Sequence, residues 1–367
     1  MTDELQVTRL ISNKSSLDQT RLVAERRSAQ AAAGEIVVRI ERCALTTNNI
    51  TYAAFGDAMN YWQFFPTGLD GWGHMPAWGY AEVIASAVAG IAVGERFYGY
   101  FPLATHLWLR PERVTERGFY DGSAHRRDLT SAYNQYTRCS WDSYYRPATA
   151  DLQILLKPLF LTSAMLADFL RDNHCFGARQ LVISSASSKT AFGTAVCLEE
   201  QPGLRLVGLT AAGNRAFVER LGCYHQVHGY DALDELDREV PTAYIDFSGN
   251  LELRDRVHRH FGERLLYSAL AGSAQTPEAP RLEAAEGPQP ELFFAPIQLR
   301  KRNAEWGPQE VSRYIGEGLV RFYARVGASR EPWLSVVRHP GLEAAQELIG
   351  RLYHGRVAPE EGHVVVI

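Results

Sequence analysis

Residues 179–222 constrain the fold of this chain more than any other stretch. Gln180-Leu-Val-Ile-Ser184 is a short apolar run that reads as a strand, introduced by Phe176-Gly-Ala. Ser185-Ala-Ser-Ser188 interrupts it, and small and apolar residues then recur at helical spacing over 189–199. A second strand is read over 203–209 and a second helix over 214–221, closed by Gly222. About thirty residues from strand to strand is the length of one βαβ crossover. Such a crossover commits the surrounding chain to a parallel sheet. It also sets a helix N-terminus, with its unpaired N–H groups, at the carboxyl edge of that sheet, where a phosphate is readily held. The loop departs from the usual pattern, because serines stand where glycines normally let the backbone approach a pyrophosphate.

The 367 residues are enough for two domains with separate cores. A hydrophobic fraction of 46% and a charged fraction of 22% are those of a soluble globular protein. The net charge of −4 argues against a nucleic-acid or anionic-membrane partner. No apolar run approaches the roughly twenty residues of a membrane span. The opening MTDELQVTRL lacks a basic segment followed by an apolar one, so a cytoplasmic location is expected. Cys43, Cys139, Cys175, Cys197 and Cys223 are scattered, with no CxxC pair, and read as buried free thiols rather than a disulfide framework. His74, His106, His125 and His174 form no HxxxH or HExxH pair, so no metal site is expected.

The first hundred residues are β-rich. Strands are read over 35–41, 80–85 and 96–100 with turn residues between them, the pattern of a small barrel. Residues 115–146 are polar and aromatic without a strong period and read as irregular. An amphipathic helix over 158–171 leads into the first parallel strand. Strand 242–246, helix 251–261 and strand 264–268 continue the alternation, which implies a doubly wound parallel sheet. Residues 274–290, rich in Ala, Pro, Glu and Gly, read as a solvent loop. An edge strand at 291–296, helices at 311–326 and 341–353, and a closing apolar strand at 363–367 complete the chain. The expected division is 1–150, 151–290 and 291–367, the last segment returning to the first domain.

With these pieces in order, the chain resembles the medium-chain dehydrogenase/reductase superfamily. It is most similar to the zinc-free quinone oxidoreductase and enoyl reductase branch, and within it to a family catalogued as a domain of unknown function. Gly34-Glu-Ile-Val-Val-Arg-Ile-Glu resembles the opening strand of that superfamily, and Val93-Gly-Glu-Arg-Phe-Tyr-Gly its VGDRVYG segment. Ala216-Phe-Val-Glu-Arg-Leu-Gly resembles the helix ending in LGAD, and Ile245-Asp-Phe-Ser-Gly249 the DxxG of the fourth sheet strand. Gly341-Leu-Glu-Ala-Ala-Gln, with Gly355 and Pro359, resembles the closing segment. The resemblance implies an α/β protein built from a GroES-like β-barrel domain and a Rossmann domain with a doubly wound parallel sheet. It also implies a dinucleotide cofactor and a homodimer paired through the 291–296 edge. The zinc ligands and the four-cysteine lobe of the alcohol dehydrogenase branch are absent, so a zinc-independent enzyme is expected.

On the cofactor side, Ser185, Ser187, Ser188 and Thr190 offer hydroxyls to a phosphate. Lys189 is read either as a phosphate partner or as a solvated first-turn lysine. A nucleoside-triphosphate loop is a poor fit, because Ile183 and Ser188 fill its two glycine positions. The second strand ends Gly208-Leu-Thr-Ala-Ala-Gly213 with no acid until Glu219. Thr210, Asn214 and Arg215 therefore suit a 2′-phosphate, and NADP is favoured over NAD. Ser248 joins the expected cofactor set. On the substrate side, Asn48, Asn49 and Tyr52 are placed by the resemblance beside a substrate carbonyl, although asparagines in such a segment also simply form turns. Tyr61, Trp62, Phe64, Phe65, Trp72 and Trp78, with His74 among them, read as an apolar pocket wall or as core, and 133–138 as its border. The expected reaction is NADPH-dependent reduction of an activated C=C or quinone in a small apolar carbonyl compound. Alternatives are another chemistry on the same scaffold, such as a carbonyl reductase or lyase, or a non-catalytic ligand-binding or sensor protein.

Overall fold

The computed structural model describes residues 4–272, 286–327 and 332–367. The expected solvent loop over 274–290 lies, in its residues 274–285, outside the described residues. Two compact units emerge, Met1–Leu155 with Val336–Val357 and Glu361–Ile367, and Leu156–Ser335 with Ala358–Glu360.

The first unit opens with a hairpin of β1 (Glu4–Asn13) and β2 (Ser16–Ser28), for which the sequence reading had no strands. Val7, Leu10 and Ile11 are its buried residues on β1, and their spacing breaks the period of two that a sequence search looks for. β3 (Ile36–Leu45) is the centre of the barrel sheet, with Ile36, Val37, Val38 and Ile40 buried. It leads directly into α1 (Thr47–Ala54), where a turn was expected. Thr46 and Asn49 close a capping box. Thr46 Oγ1 accepts from Asn48 N at 3.2 Å and Asn49 Oδ1 accepts from Thr46 N at 2.7 Å.

β4 (Trp72–Gly73) pairs with β1. β5 (Pro76–Ser86) and β6 (Arg96–Pro102) stand where strands were expected, and β7 (His106–Leu109) adds one that was not; β5 and β7 both pair antiparallel to β3. β8 (Pro111–Thr115) ends where the stretch expected to be irregular begins, and β9 (Gly118–Asp121) and β10 (Gln135–Arg138) lie within it. A buried guanidinium organises it. Arg126 donates to Asp121 Oδ2 at 2.8 Å, to Asn134 Oδ1 at 2.9 Å, to the Tyr133 carbonyl at 2.8 Å and to the Tyr136 hydroxyl at 3.1 Å.

α2 (Ala150–Asp172) begins eight residues earlier than the helix read from sequence and carries Pro158 in its interior. Proline there forfeits the N–H that would bond to Ile154 and sets its ring against that carbonyl, a cost offset by the buried Leu155, Leu156, Leu159 and Phe160 around it. Its apolar length is that of a membrane span, but the helix is mostly buried in the fold, as a core helix is.

The second unit carries β11 (Gln180–Ile183), α3 (Lys189–Leu198), β12 (Arg205–Thr210), α4 (Arg215–Leu221), β13 (Gln226–Gly229), β14 (Thr242–Asp246), α5 (Leu251–Phe261) and β15 (Leu265–Leu270). β16 (Glu291–Leu292) follows, and then α6 (Ala295–Glu305) and α7 (Pro308–Gly327). All neighbours in its sheet are parallel, in the order β13-β12-β11-β14-β15-β16. The strand order reverses between β11 and β14. Ligands of open α/β sheets bind in the crevice beyond the carboxyl ends of the strands at such a reversal. Gly193 lets α3 approach α2 closely, since a Cβ there would stand 2.6 Å from Ser163 Oγ.

The expected third segment divides differently. Residues 291–335 group with the parallel sheet, because Phe322 of α7 stacks on Phe160 at 5.0 Å and Arg302 of α6 pairs with Asp168 at 2.7 Å. Only two residues of the expected edge strand are extended before α6 begins. The return to the first unit starts at Val336, with β17 (Ser335–Pro340), α8 (Gly341–Tyr353) and β18 (Glu361–Val366), the last pairing antiparallel to β3.

Arg126→Ala would leave the buried Asp121 without its partner. Urea denaturation is expected to show a loss of about 3–5 kcal/mol, the range for breaking a buried ion pair.

Candidate active site

In the second unit the site is built at the carboxyl ends of β11 and β14. Asp246, the last residue of β14, is fully buried. Its Oδ1 accepts from Ser184 Oγ at 2.8 Å, Ser248 N at 2.9 Å, Ser248 Oγ at 2.7 Å and Gly249 N at 3.0 Å. Its Oδ2 accepts from Arg254 Nε at 3.1 Å and Nη2 at 2.9 Å. Ser184 Oγ in turn accepts from Phe247 N at 3.0 Å. The carboxylate therefore ties the loop after β11 to the loop after β14. Ser248, expected on the cofactor, spends its hydroxyl on this carboxylate and is fully buried. Asp246 stands in the DxxG resemblance but was not expected in the site, and sequence reasoning missed Arg254, whose eight-residue separation from it spans a strand end and a helix.

The serine loop reaches its turn with Ser185 at φ 50°, the left-handed region usually left to glycine. Ser185 N donates to Tyr230 Oη at 3.2 Å. Clearance comes from the neighbouring strand. Ala186 N donates to the Leu209 carbonyl at 3.0 Å, and a Cβ on Gly208 would stand 3.0 Å from Ala186 Cβ. Ser187 Oγ accepts from Asn214 Nδ2 at 3.1 Å, so two expected cofactor residues meet. Ser188 is the N-cap of α3, its Oγ accepting from Ala191 N at 3.3 Å, and Thr190 stands in the first turn. Lys189 Nζ donates to the Pro359 carbonyl at 3.1 Å, a partner neither sequence reading foresaw. Thr210 ends β12 and is buried, with no carboxylate beside it on that strand. Arg215 is exposed and pairs with Glu219 at 2.9 Å, an i,i+4 contact screened by solvent.

In the first unit the expected substrate residues divide. Asn49 is buried and committed to the fold: Oδ1 holds the capping box and Nδ2 donates to the Pro76 carbonyl at 2.9 Å. Asn48 lies one turn before Tyr52 on α1, and it and Tyr133 stand beside the Tyr52 hydroxyl. The Tyr52 hydroxyl accepts from Trp78 Nε1 at 3.3 Å. Burial raises its pKa above the ordinary value of 10, the donors around it opposing this only in part. Tyr61 and Tyr133 share a hydrogen bond at 3.1 Å, and the rings of Tyr52, Tyr61, Tyr100 and Tyr133 pack at centroid distances of 4.8–6.0 Å. The Tyr100 hydroxyl is buried and has no partner among the described residues. Phe64, Phe65 and Trp78 join this cluster as expected. Trp62 belongs instead to the barrel core, and Trp72 lies under Arg21 at 4.1 Å. Tyr133 was foreseen only as a border residue. It is held by Arg126, which bonds its carbonyl. Among the described residues no group of three or more His, Cys, Asp or Glu side chains is placed to hold a metal ion.

Asp246→Asn keeps the shape of the side chain but sets an amide N–H₂ against the donors that converge on it. Urea denaturation is expected to show a loss of about 3–5 kcal/mol.

Residues 43–358 match the family model described as protein of unknown function (DUF2855), and the chain belongs to that family. Among curated proteins none matches it by sequence. Its fold is found in solved structures. CurA in complex with NADPH from Vibrio vulnificus is 14% identical over 98% of each chain, with a TM-score of 0.65. A putative NADPH:quinone reductase from Mesorhizobium loti is 13% identical over 100% of this chain and 99% of its own, with a TM-score of 0.61. The yhdH oxidoreductase from Salmonella enterica in complex with NADP is 13% identical over 98% and 99%, with a TM-score of 0.53. The likeness is one of fold, the GroES-like barrel and Rossmann sheet that the sequence resemblance implies.

Proposed function

We propose that this member of the family is an NADPH-dependent, zinc-independent reductase of activated C=C bonds or quinones, with an enone, a quinone or an enoyl thioester as substrate. The observation that carries the reading is the Tyr52 hydroxyl. Its oxygen receives the Trp78 indole N–H, with Asn48 and Tyr133 beside it, so its own proton is available to a substrate carbonyl. A proton donor placed at that oxygen stabilises the negative charge that develops there on reduction. The surrounding tyrosine, tryptophan and phenylalanine rings give a small apolar carbonyl compound a matching wall.

Support for the cofactor comes from the β11–β14 strand reversal, the capped N-terminus of α3 and the acid-free end of β12. Two of the fold's structural neighbours carry NADPH or NADP. Bound NADPH would supply the hydride. Ser185, Ser187, Ser188 and Thr190 would hold its phosphates, and Asn214 and Arg215 its 2′-phosphate, with the Ser187–Asn214 and Arg215–Glu219 bonds exchanged on binding.

Nicotinamide fluorescence titration is expected to show tighter binding of NADPH than of NADH. Arg215→Gln should weaken NADPH by about tenfold and leave NADH unchanged. Binding of neither nucleotide by the native protein would sink the reading. Tyr52→Phe should lower kcat by about 10²-fold or more without weakening NADPH. A variant as fast as the native enzyme would remove Tyr52 from the chemistry. Because Tyr52 stays protonated past its ordinary pKa of 10, a pH profile of kcat/KM should show no loss from this group below that value.

A further inference from the structure

In the first unit a cavity of about 200 Å³ shares only the side chains of Phe64, Phe65 and Leu107 with the Tyr52 cluster, and its polar wall is otherwise its own. Arg9 on β1, Arg27 on β2 and Arg126 face Glu25 and Asp121 across it. Both carboxylates are already paired, Glu25 with Arg9 at 3.2 Å and Asp121 with Arg126 at 2.8 Å. Arg27 has no carboxylate partner among the described residues and lies 3.8 Å over the Trp108 ring, which leaves the edge of its guanidinium free. His106 and His125, also at the wall, add no negative charge. The cavity is therefore net positive.

Two buried atoms in this wall have no hydrogen-bond partner among the described residues: Arg9 Nε, a donor, and His74 Nδ1. His74 is 3% exposed and stands against the Leu10 backbone. Burial and the nearby Arg9 push its pKa down to about 4, so at neutral pH the ring is uncharged, and the tautomer with its proton on Nε2 presents a lone pair at Nδ1. A buried donor or acceptor left unmatched is costly. One water would match the donor and the acceptor but not the charge. The volume is below that of a drug-sized pocket and suits a ligand of only a few heavy atoms.

We propose that this cavity binds a small oxyanion that also carries a hydroxyl, its anionic oxygens accepting from Arg9 Nε and Arg27 and its hydroxyl donating to His74 Nδ1. A hydroxycarboxylate and hydrogen phosphate share this chemistry.

Calorimetry on the full chain in phosphate-free buffer separates the sources, with lactate, propionate and inorganic phosphate as probes. Lactate and propionate differ only in the hydroxyl. Saturable lactate binding, with propionate weaker by about tenfold, is the expected result for a hydroxycarboxylate. Saturable phosphate binding without lactate binding would assign the inorganic anion. In either case Arg27→Gln, at an exposed position, should weaken the ligand by about tenfold. No saturation with lactate or phosphate would overturn the proposal, and so would equal binding of lactate and propionate or an affinity unaltered by Arg27→Gln. An NADPH titration of the same samples keeps this result distinct from the fate of the reductase reading.

Discussion

The second unit depends on one buried carboxylate. Asp246 ends β14 where the strand order reverses, and the protein surrounds it with six hydrogen bonds from Ser184, Ser248, Gly249 and Arg254. An ion pair out of contact with water is not in itself stabilising relative to apolar residues of the same volume. What it provides here is position. The loops after two parallel strands leave the sheet independently, and a shared acceptor removes that independence. The serine loop is held from below by Asp246, from one side by Tyr230 and from the other by Asn214.

In the first unit the equivalent task falls to a cation. Arg126 is enclosed by Asp121, Asn134, Tyr133 and Tyr136, and through the Tyr133 carbonyl it sets one ring of the tyrosine cluster. Tyr52 receives its neighbours from α1, β5 and the stretch before β10, three places far apart in the chain. The hydroxyl environment is thus a product of the barrel, while α1 supplies only Tyr52 and Asn48.

Much of this was legible in the sequence where the signal is local. The β11–α3–β12 unit, α5 and α8 rest on periodicity and on glycine at their ends, and they stand where expected. Thr46-Thr-Asn-Asn has the composition of a turn, yet the same residues build a helix N-terminus, and only the reciprocal bonds of Thr46 and Asn49 distinguish the two. Residues 115–146 carry no period because a single buried arginine, rather than an alternating strand face, orders them. Tyr52 and the serine loop were within reach of motif reading. Asp246 was visible as part of the DxxG segment, but its pairing with Arg254 was not, since that depends on the sheet, and neither was the division of labour between Asn48 and Asn49.

The glycine at position 208 carries a consequence for how substitutions combine. Its missing side chain and the Ala186 methyl occupy one shared volume, 3.0 Å from Cβ to Cβ if both were present. A methyl placed at 208 also meets the Tyr224 ring at 3.2 Å, so removing the Ala186 methyl relieves only part of the crowding. Positions 186, 208 and 224 therefore share one volume, and a substitution at 208 is felt at both of the others.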